Sequence, residues 1–275
     1  MSQIQSINQA ISNPPAAGGS PIQAVLLVDL LERHQPDYRF NATSLPGHLI
    51  QVMIEGRTLH EANGRRYTLE PHSLIWYHED ELVRGQLLEG PWRFYTVNFI
   101  APAFNPPAFE DRVRRVEGHT MAHCAALLAA WRDASAVPMA RQMRVQARLL
   151  DLLAGLSGSG QPFAMNPAAR LWWELETQLR KDLRRPIDLD LMRQLCNKSH
   201  ATIARACTCA VGMPPARRIK QIRLSLARGL VQHSNLSVSQ IADAIGYGRV
   251  HEFSRDYHKH FGHPPTAERK SSAGA

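Results

Sequence analysis

Hydrophobic and polar positions change rhythm twice along the chain. From Ile22 to about Pro102, apolar residues come in short runs or alternate with polar ones. The runs are LLVDLL (Leu26–Leu31), HLIQVMIEG (His48–Gly56), RRYTLEP (Arg65–Pro71), HSLIWYH (His72–His78) and WRFYTVNFI (Trp92–Ile100). Asn63-Gly64 and Glu89-Gly90-Pro91 punctuate them as turn signals. Short strands with tight turns and no helices between them predict a small β-sandwich or barrel. Barrels of this size often enclose one small ligand.

From 119 to 155 the spacing becomes helical. HTMAHCAALLAAWRDA is broken at Ser135–Pro138, and MARQMRVQARLLDLLAG follows with Met139, Met143, Leu149, Leu150 and Leu153 near one face. This predicts an antiparallel helix pair against the strands. Gly155–Pro167 is rich in Gly, Ser and Pro and reads as a linker.

Beyond the linker the pattern is helical throughout. Arg170–Leu183 opens the segment and carries Trp172-Trp173, expected in the core. Asp188 or Asp190 caps the next helix, and Ser199 caps His200–Gly212. Gly212 stops that helix and Pro214-Pro215 restart the chain. Arg217–Gln232 is amphipathic, with Ile219, Ile222, Leu226 and Leu230 inward.

Two stretches of this half share one design. In the helix after Ser199, Ile203, Ala206, Cys207 and Ala210 define a core face. The opposite face carries Ala201, Arg205 and Thr208, flanked by His200 and Ala204. In the second stretch, Ile241, Ala242 and Ile245 form a supporting helix and Gly246 allows a sharp turn. Phe253 and Tyr257 then anchor a helix whose outer face carries His251 and Arg255, with Val250 and Glu252 beside them. Small side chains permit close approach to a major groove, Arg forks onto guanine and Glu accepts from cytosine. About 16 residues of helix, roughly 24 Å, join the two stretches. Adding the radius of each unit brings their separation near one duplex turn, about 34 Å.

Charge sharpens this picture. The chain of 275 residues carries a formal +8, unevenly spread. Positions 1–165 hold 14 Lys/Arg against 15 Asp/Glu, and positions 166–275 hold 18 against 9. The second half is the candidate for a polyanion. Cys124, Cys196, Cys207 and Cys209 are too few and too scattered for a disulfide framework or a zinc site, and are expected as small buried apolar residues. The start lacks a signal-peptide pattern, and no run reaches the length of a membrane span. A cytoplasmic, nucleoid-associated protein that engages no membrane is expected.

These residues carry a family resemblance. Ser199, Ile203, Arg205, Cys207, Gly212 and Pro215, then RLSLARGL (Arg223–Leu230), IADAIGYGRVHEFSRDY (Ile241–Tyr257) and FGHPP (Phe261–Pro265) resemble the DNA-binding domain of AraC/XylS-type transcription regulators. The resemblance implies two helix-turn-helix units and transcriptional control at a promoter. It implies base reading at Ala201, Ala204, Arg205, Val250, His251, Glu252 and Arg255. Cys207 replaces the family's usual Phe, Arg218 a usual aromatic, and Arg249 a usual capping Asp or Ser. VMIEGRTL (Val52–Leu59) through LEPHSLIW (Leu69–Trp76) resembles the family's cupin-like sensor domain, with His72 where Gly is usual. By that resemblance the barrel binds a small effector and the helix pair dimerises.

The expected fold is α+β in two domains: a flexible arm (1–21), a cupin-like β-barrel with a helical hairpin (22–155), a linker (156–168) and an all-α double helix-turn-helix domain (169–270). DNA contacts are expected from His200, Ala201, Ala204, Arg205, Thr208, Val250, His251, Glu252 and Arg255. Trp76, Tyr77, His78, Trp92, Arg93 and Tyr95 are the candidates for effector binding. The expected partners are double-stranded promoter DNA, a small-molecule effector, a second copy through residues 119–155, and RNA polymerase if the protein activates. His48, His60, His72 and His78, with Glu55 and Glu61, do not form the His-x-His and Glu cluster of metal-dependent cupins. They are read as surface or hydrogen-bonded residues, and no metal, cofactor or catalytic residue is expected. The alternatives are a metal-dependent cupin enzyme with a basic helical domain, and a constitutive DNA-binding regulator.

Overall fold

A computed structural model describes residues 20–35, 38–102, 104–158, 166–234 and 236–272. The expected flexible arm lies outside these residues apart from Ser20 and Pro21, and so does the linker over 159–165. The chain divides into two compact units, Met1–Asn166 and Pro167–Ala275.

The first unit is built on seven strands: β1 (Ala24–Arg33), β2 (Arg39–Thr43), β3 (His48–Ala62), β4 (Arg65–Leu69), β5 (Ser73–His78), β6 (Leu82–Ile100) and β7 (Val113–Arg115). They form one antiparallel sheet in the order β1-β6-β3-β5-β7, with β2 added to β6 and β4 to β3. Among the described residues β1 and β7 are the ends of the ladder. The fold is thus sheet-rich and cupin-like, but its hydrogen bonding does not close the expected barrel. Asn63 and Gly64 both take positive φ between β3 and β4, as a tight hairpin requires.

Glu89-Gly90-Pro91, expected as a turn, lies inside β6, which runs on for 19 residues. The ladder absorbs it by slipping register against β3 between Met53 and Thr58. Gly56 sits at that slip with φ +89, and a Cβ there would run into the carbonyls of Pro91 and Glu89. Local turn chemistry was outweighed by pairing with β2 and β3, which begins at Leu82.

Alternation along the strands sends side chains to two buried faces. Val28, Ile50, Val52, Trp76, Val97 and Phe99 pack beneath α1 (Gly118–Arg132) and α2 (Pro138–Gly158), which contribute Cys124, Leu127, Val145, Leu149 and Leu152. Met53, Tyr67, Leu69, Tyr77, Leu87, Trp92 and Phe94 form a separate core drawn from strands alone. Among the described residues the buried members of that second core all lie on strands, and Phe109 packs edge-on against Tyr67 at 6.5 Å. In α2, Leu149 and Leu153 point inward as expected, while Met139 and Met143 are 66% and 65% exposed. The inward face starts at Val145, one turn later than the sequence pattern placed it.

The second unit is entirely helical: α3 (Pro167–Arg180), α4 (Leu189–Cys196), α5 (His200–Val211), α6 (Pro215–His233), α7 (Val238–Ala244), α8 (Val250–Phe261) and α9 (Pro265–Ser272). It holds two cores. The first gathers Trp172, Trp173, Met192, Ile203, Cys207, Ile219 and Ile222. The second gathers Leu224, Ala227, Val231, Ile241, Ile245, Phe253 and Tyr257. Helix α6 serves both and shifts its buried face round its axis on the way. Leu226, expected inward, therefore lies 39% exposed, and Leu224, Ala227 and Val231 take the inward places. No helix among the described residues is long and apolar enough to cross a membrane.

Candidate nucleic-acid interface

Helices α4 and α5 make the first unit. The Asp188 carboxylate accepts from the Leu191 amide at 2.8 Å and so caps α4. Asn197 then ends it in the left-handed region, where Asn is tolerated. The Ser199 hydroxyl accepts from the Thr202 amide at 3.2 Å to start α5, and Gly212 ends it at φ +74. Ile203, Ala206, Cys207 and Ala210 point into the core. His200, Ala201, Arg205 and Thr208 are exposed and Ala204 is half-buried, so one side of the helix presents all five.

Cys207 is fully buried in this core, which it shares with the two tryptophans of α3. Arg218 is fully buried beside it. Its guanidinium donates to both oxygens of Glu176, at 2.9 and 2.8 Å. Arg180 and the Trp172 indole donate to the same carboxylate. An ion pair thus stands where an aromatic was expected, tying α6 to α3.

Helices α7 and α8 make the second unit. Ser237 and Gln240 form a reciprocal capping box at the start of α7. Gly246 takes φ +80 in the turn, where a Cβ would lie 2.6 Å from the Arg184 carbonyl. Phe253, Tyr257 and Phe261 are buried. His251, Glu252 and Arg255 are exposed and Val250 is half-buried. The Tyr257 hydroxyl donates to Glu268 of α9 at 2.5 Å, and Arg228 and Gln232 of α6 donate to the same carboxylate. Neither Arg205 nor Arg255 has a hydrogen bond or ion pair among the described residues, so both guanidiniums face solvent. Helix α6, 19 residues and about 28 Å long, links the units.

The helix starts differ in quality. Ser199 caps α5, whereas Arg249 makes no capping bond to α8 and lies 4.0 Å from Glu252. Ser199→Ala should therefore lower stability by about 1 kcal/mol, and Arg249→Ser should raise it by up to about 1 kcal/mol. Thermal denaturation of the two variants checks both signs.

The six effector candidates do not meet in one place. Trp76 and Tyr95 pack on the helix-covered face of the sheet. His78 joins them there through its ring contact with His48. Tyr77 and Trp92 belong to the all-strand core. Arg93 pairs with Glu32 and Glu55 across neighbouring strands. Two of the histidines read as surface or hydrogen-bonded residues, His48 and His60, are buried and hydrogen-bonded. No group of three or more metal-ligating side chains occurs among the described residues.

Residues 26–175 match the family model described as an AraC-like ligand binding domain, and residues 194–271 match a helix-turn-helix domain model. The HTH-type transcriptional regulator GbdR of Pseudomonas aeruginosa is 30% identical over 97 residues, which cover 35% of this chain and 26% of that protein. The match thus spans about a quarter of the curated relative. Among solved structures, ToxT from Vibrio cholerae O395 aligns over 90% of this chain and 98% of its own at a TM-score of 0.61 and 10% identity. Wild-type ToxT from V. cholerae strain SCE256, solved bound to an unsaturated fatty acid, aligns over 92% and 98% at 0.60 and 11%. At that identity the likeness shows a shared fold. With its first unit and its helical unit each matched by a family model, the chain belongs to the AraC family of helix-turn-helix transcription regulators.

Proposed function

We propose that the protein is a sequence-specific regulator that reads promoter DNA with two helices and answers to a small-molecule effector. The observation that carries this is the pair of outward faces in the second unit. One is formed by His200, Ala201, Ala204, Arg205 and Thr208, the other by Val250, His251, Glu252 and Arg255. Each lies on a helix fixed by its own core, and α6 bridges the two. The surplus of 18 basic over 9 acidic residues from position 166 onward supplies the attraction to phosphate.

Residues 22–155 would form the sensor and 169–270 the reader, joined through 156–168. The fatty acid found in one ToxT structure supports a small effector for this fold. A second copy is proposed to dock on the helix pair at 119–155, supported by the exposed Val137, Met139 and Met143. Two-fold assembly would double the DNA contact, and an activating form would also touch RNA polymerase. The proposed location is the cytoplasm, at the nucleoid.

Footprinting on the promoter DNA neighbouring the gene tests the reading. Each bound copy should protect two major-groove segments about one duplex turn apart, roughly 10 base pairs. Uniform protection independent of sequence would overturn it.

A further inference from the structure

Two buried histidines, one on each face of the sheet, are paired differently. On the helix-covered face, the Trp76 indole donates to His48 Nδ1 at 3.2 Å. The other nitrogen of that ring then donates to the Ala101 carbonyl at 3.4 Å. Both nitrogens are used, and the ring is a closed structural element.

On the all-strand face three polar atoms are left open. His60 pairs directly across the ladder with Tyr67, and Thr58 with Leu69, so all four side chains share one face. Thr58 and His60 are wholly buried, and Tyr67 is 9% exposed. The Thr58 hydroxyl, the Tyr67 hydroxyl and His60 Nε2 have no hydrogen-bond partner among the described residues. Buried polar atoms in native proteins are nearly always paired, so three on one patch require an explanation.

The ring chemistry of His60 states what is missing. Its Nδ1 lies 2.5 Å from the Tyr77 hydroxyl. Burial raises the tyrosine well above its ordinary range, so its proton stays on. That proton has one acceptor among the described residues, His60 Nδ1. Burial also lowers the imidazole to about 3, so the ring is neutral and its remaining proton sits on Nε2. An N–H donor thus faces the interior beside two hydroxyls, with Phe40 and Trp92 packed edge-on to the same imidazole at 5.1 and 5.6 Å.

We propose that this face is the effector site, and that it takes an uncharged ligand with an oxygen acceptor for His60 Nε2 and further polar oxygens for Thr58 and Tyr67. The charge follows from the surroundings. The buried cation near this core, Arg112, is already bound to Glu81 at 2.6 Å. Arg65 lies over the Tyr67 ring at 5.4 Å but is exposed, so a carboxylate would be desolvated there without a buried counter-charge, which a low-dielectric interior penalises heavily. A fatty-acid anion therefore fits this face poorly. This inference rests on the effector-responsive reading above and specifies its ligand.

The test uses the full chain and matched probes: acetophenone, 4-hydroxyacetophenone and benzamide as uncharged ligands, benzoate and octanoate as anions. Thermal midpoints and titration calorimetry are recorded for wild type, Thr58→Val, Tyr67→Phe and His60→Phe. At least one uncharged probe should raise the wild-type midpoint and saturate, with anions at least tenfold weaker. Thr58→Val and Tyr67→Phe each delete only an unpaired hydroxyl, so both should fold with midpoints equal to or above wild type. They should bind the probe at least tenfold more weakly, as should His60→Phe. No shift with any uncharged probe would overturn the proposal, as would equal binding of anions or unchanged binding in the folded hydroxyl variants. DNA footprinting without probe reports separately, so a failed ligand site and a failed regulator reading give different results.

Discussion

Glu176→Ala should destabilise the protein by about 3–5 kcal/mol, the range for breaking a buried ion pair from one side. The loss comes from what is left behind. Arg218 is completely buried and spends its guanidinium on Glu176 and, at 3.3 Å, on Gln221. Without the carboxylate a full positive charge remains in an apolar core. Replacing both partners, as Glu176→Leu with Arg218→Met, should recover most of the loss, because no charge is then stranded. Urea denaturation at neutral pH measures all three proteins. A loss below about 1 kcal/mol in the single variant would mean that water reaches Arg218.

The same pair sets a pH window. Burial alone would raise the Glu176 carboxyl, but Arg218 and Arg180 outweigh it and hold the group at about 2. A carboxyl held below its unfolded value contributes stability above about 4.5 and loses it as pH falls toward 2. The reading unit of wild type should therefore weaken over that acid interval. The Glu176→Leu, Arg218→Met protein should lack this component of the acid transition.

The ion pair also shows where sequence reasoning ends. Caps and periodicities are local, so the double helix-turn-helix was legible: Ser199, Gly212, Gly246 and the Phe253/Tyr257 pair act within one or two turns of chain. Glu176 and Arg218 are 42 positions apart, and no spacing rule links them. Arg218 stood out only as a departure from an aromatic. Leu226 was misplaced because a helix serving two cores has no single apolar stripe. In the first unit, strands β1 and β3 to β5 were legible from alternation. Strands β2 and β7 and the first half of β6 were missed, since Leu82–Pro91 is mixed in polarity and ends in Gly-Pro. Its strand character comes from β2 and β3 on either side. The effector candidates were chosen as aromatics near in sequence, yet Trp76 and Tyr77 are adjacent and face opposite cores. The residues of the proposed site, Thr58, His60 and Tyr67, share an unmet hydrogen bond, a feature that exists only in the folded chain.

Arg205→Ala and Arg255→Ala should each weaken binding to the true operator by about 1–3 kcal/mol, roughly 10- to 100-fold, and to random DNA by less. Both side chains are exposed and carry no hydrogen bond or ion pair among the described residues, so neither change should disturb the cores beneath. Their neighbours differ, and the difference predicts selectivity. Arg205 stands among Ala201, Ala204 and Thr208, small residues that would let the backbone of α5 approach the groove and bring the guanidinium onto a guanine edge. Arg255 lies one turn from Glu252 and His251, and Glu252 would read a neighbouring base by accepting from cytosine. Loss at Arg205 should relax the operator at one base pair. Loss at Arg255 should relax a different base pair and leave the one proposed for Glu252 intact, because the cation beside Glu252 is Arg249, at 4.0 Å. Competition binding against operators substituted one base pair at a time separates the two patterns. Equal losses on operator and random DNA, with the salt slope lowered by about one for each arginine removed, would make both residues phosphate contacts and move base reading to other positions of α5 and α8.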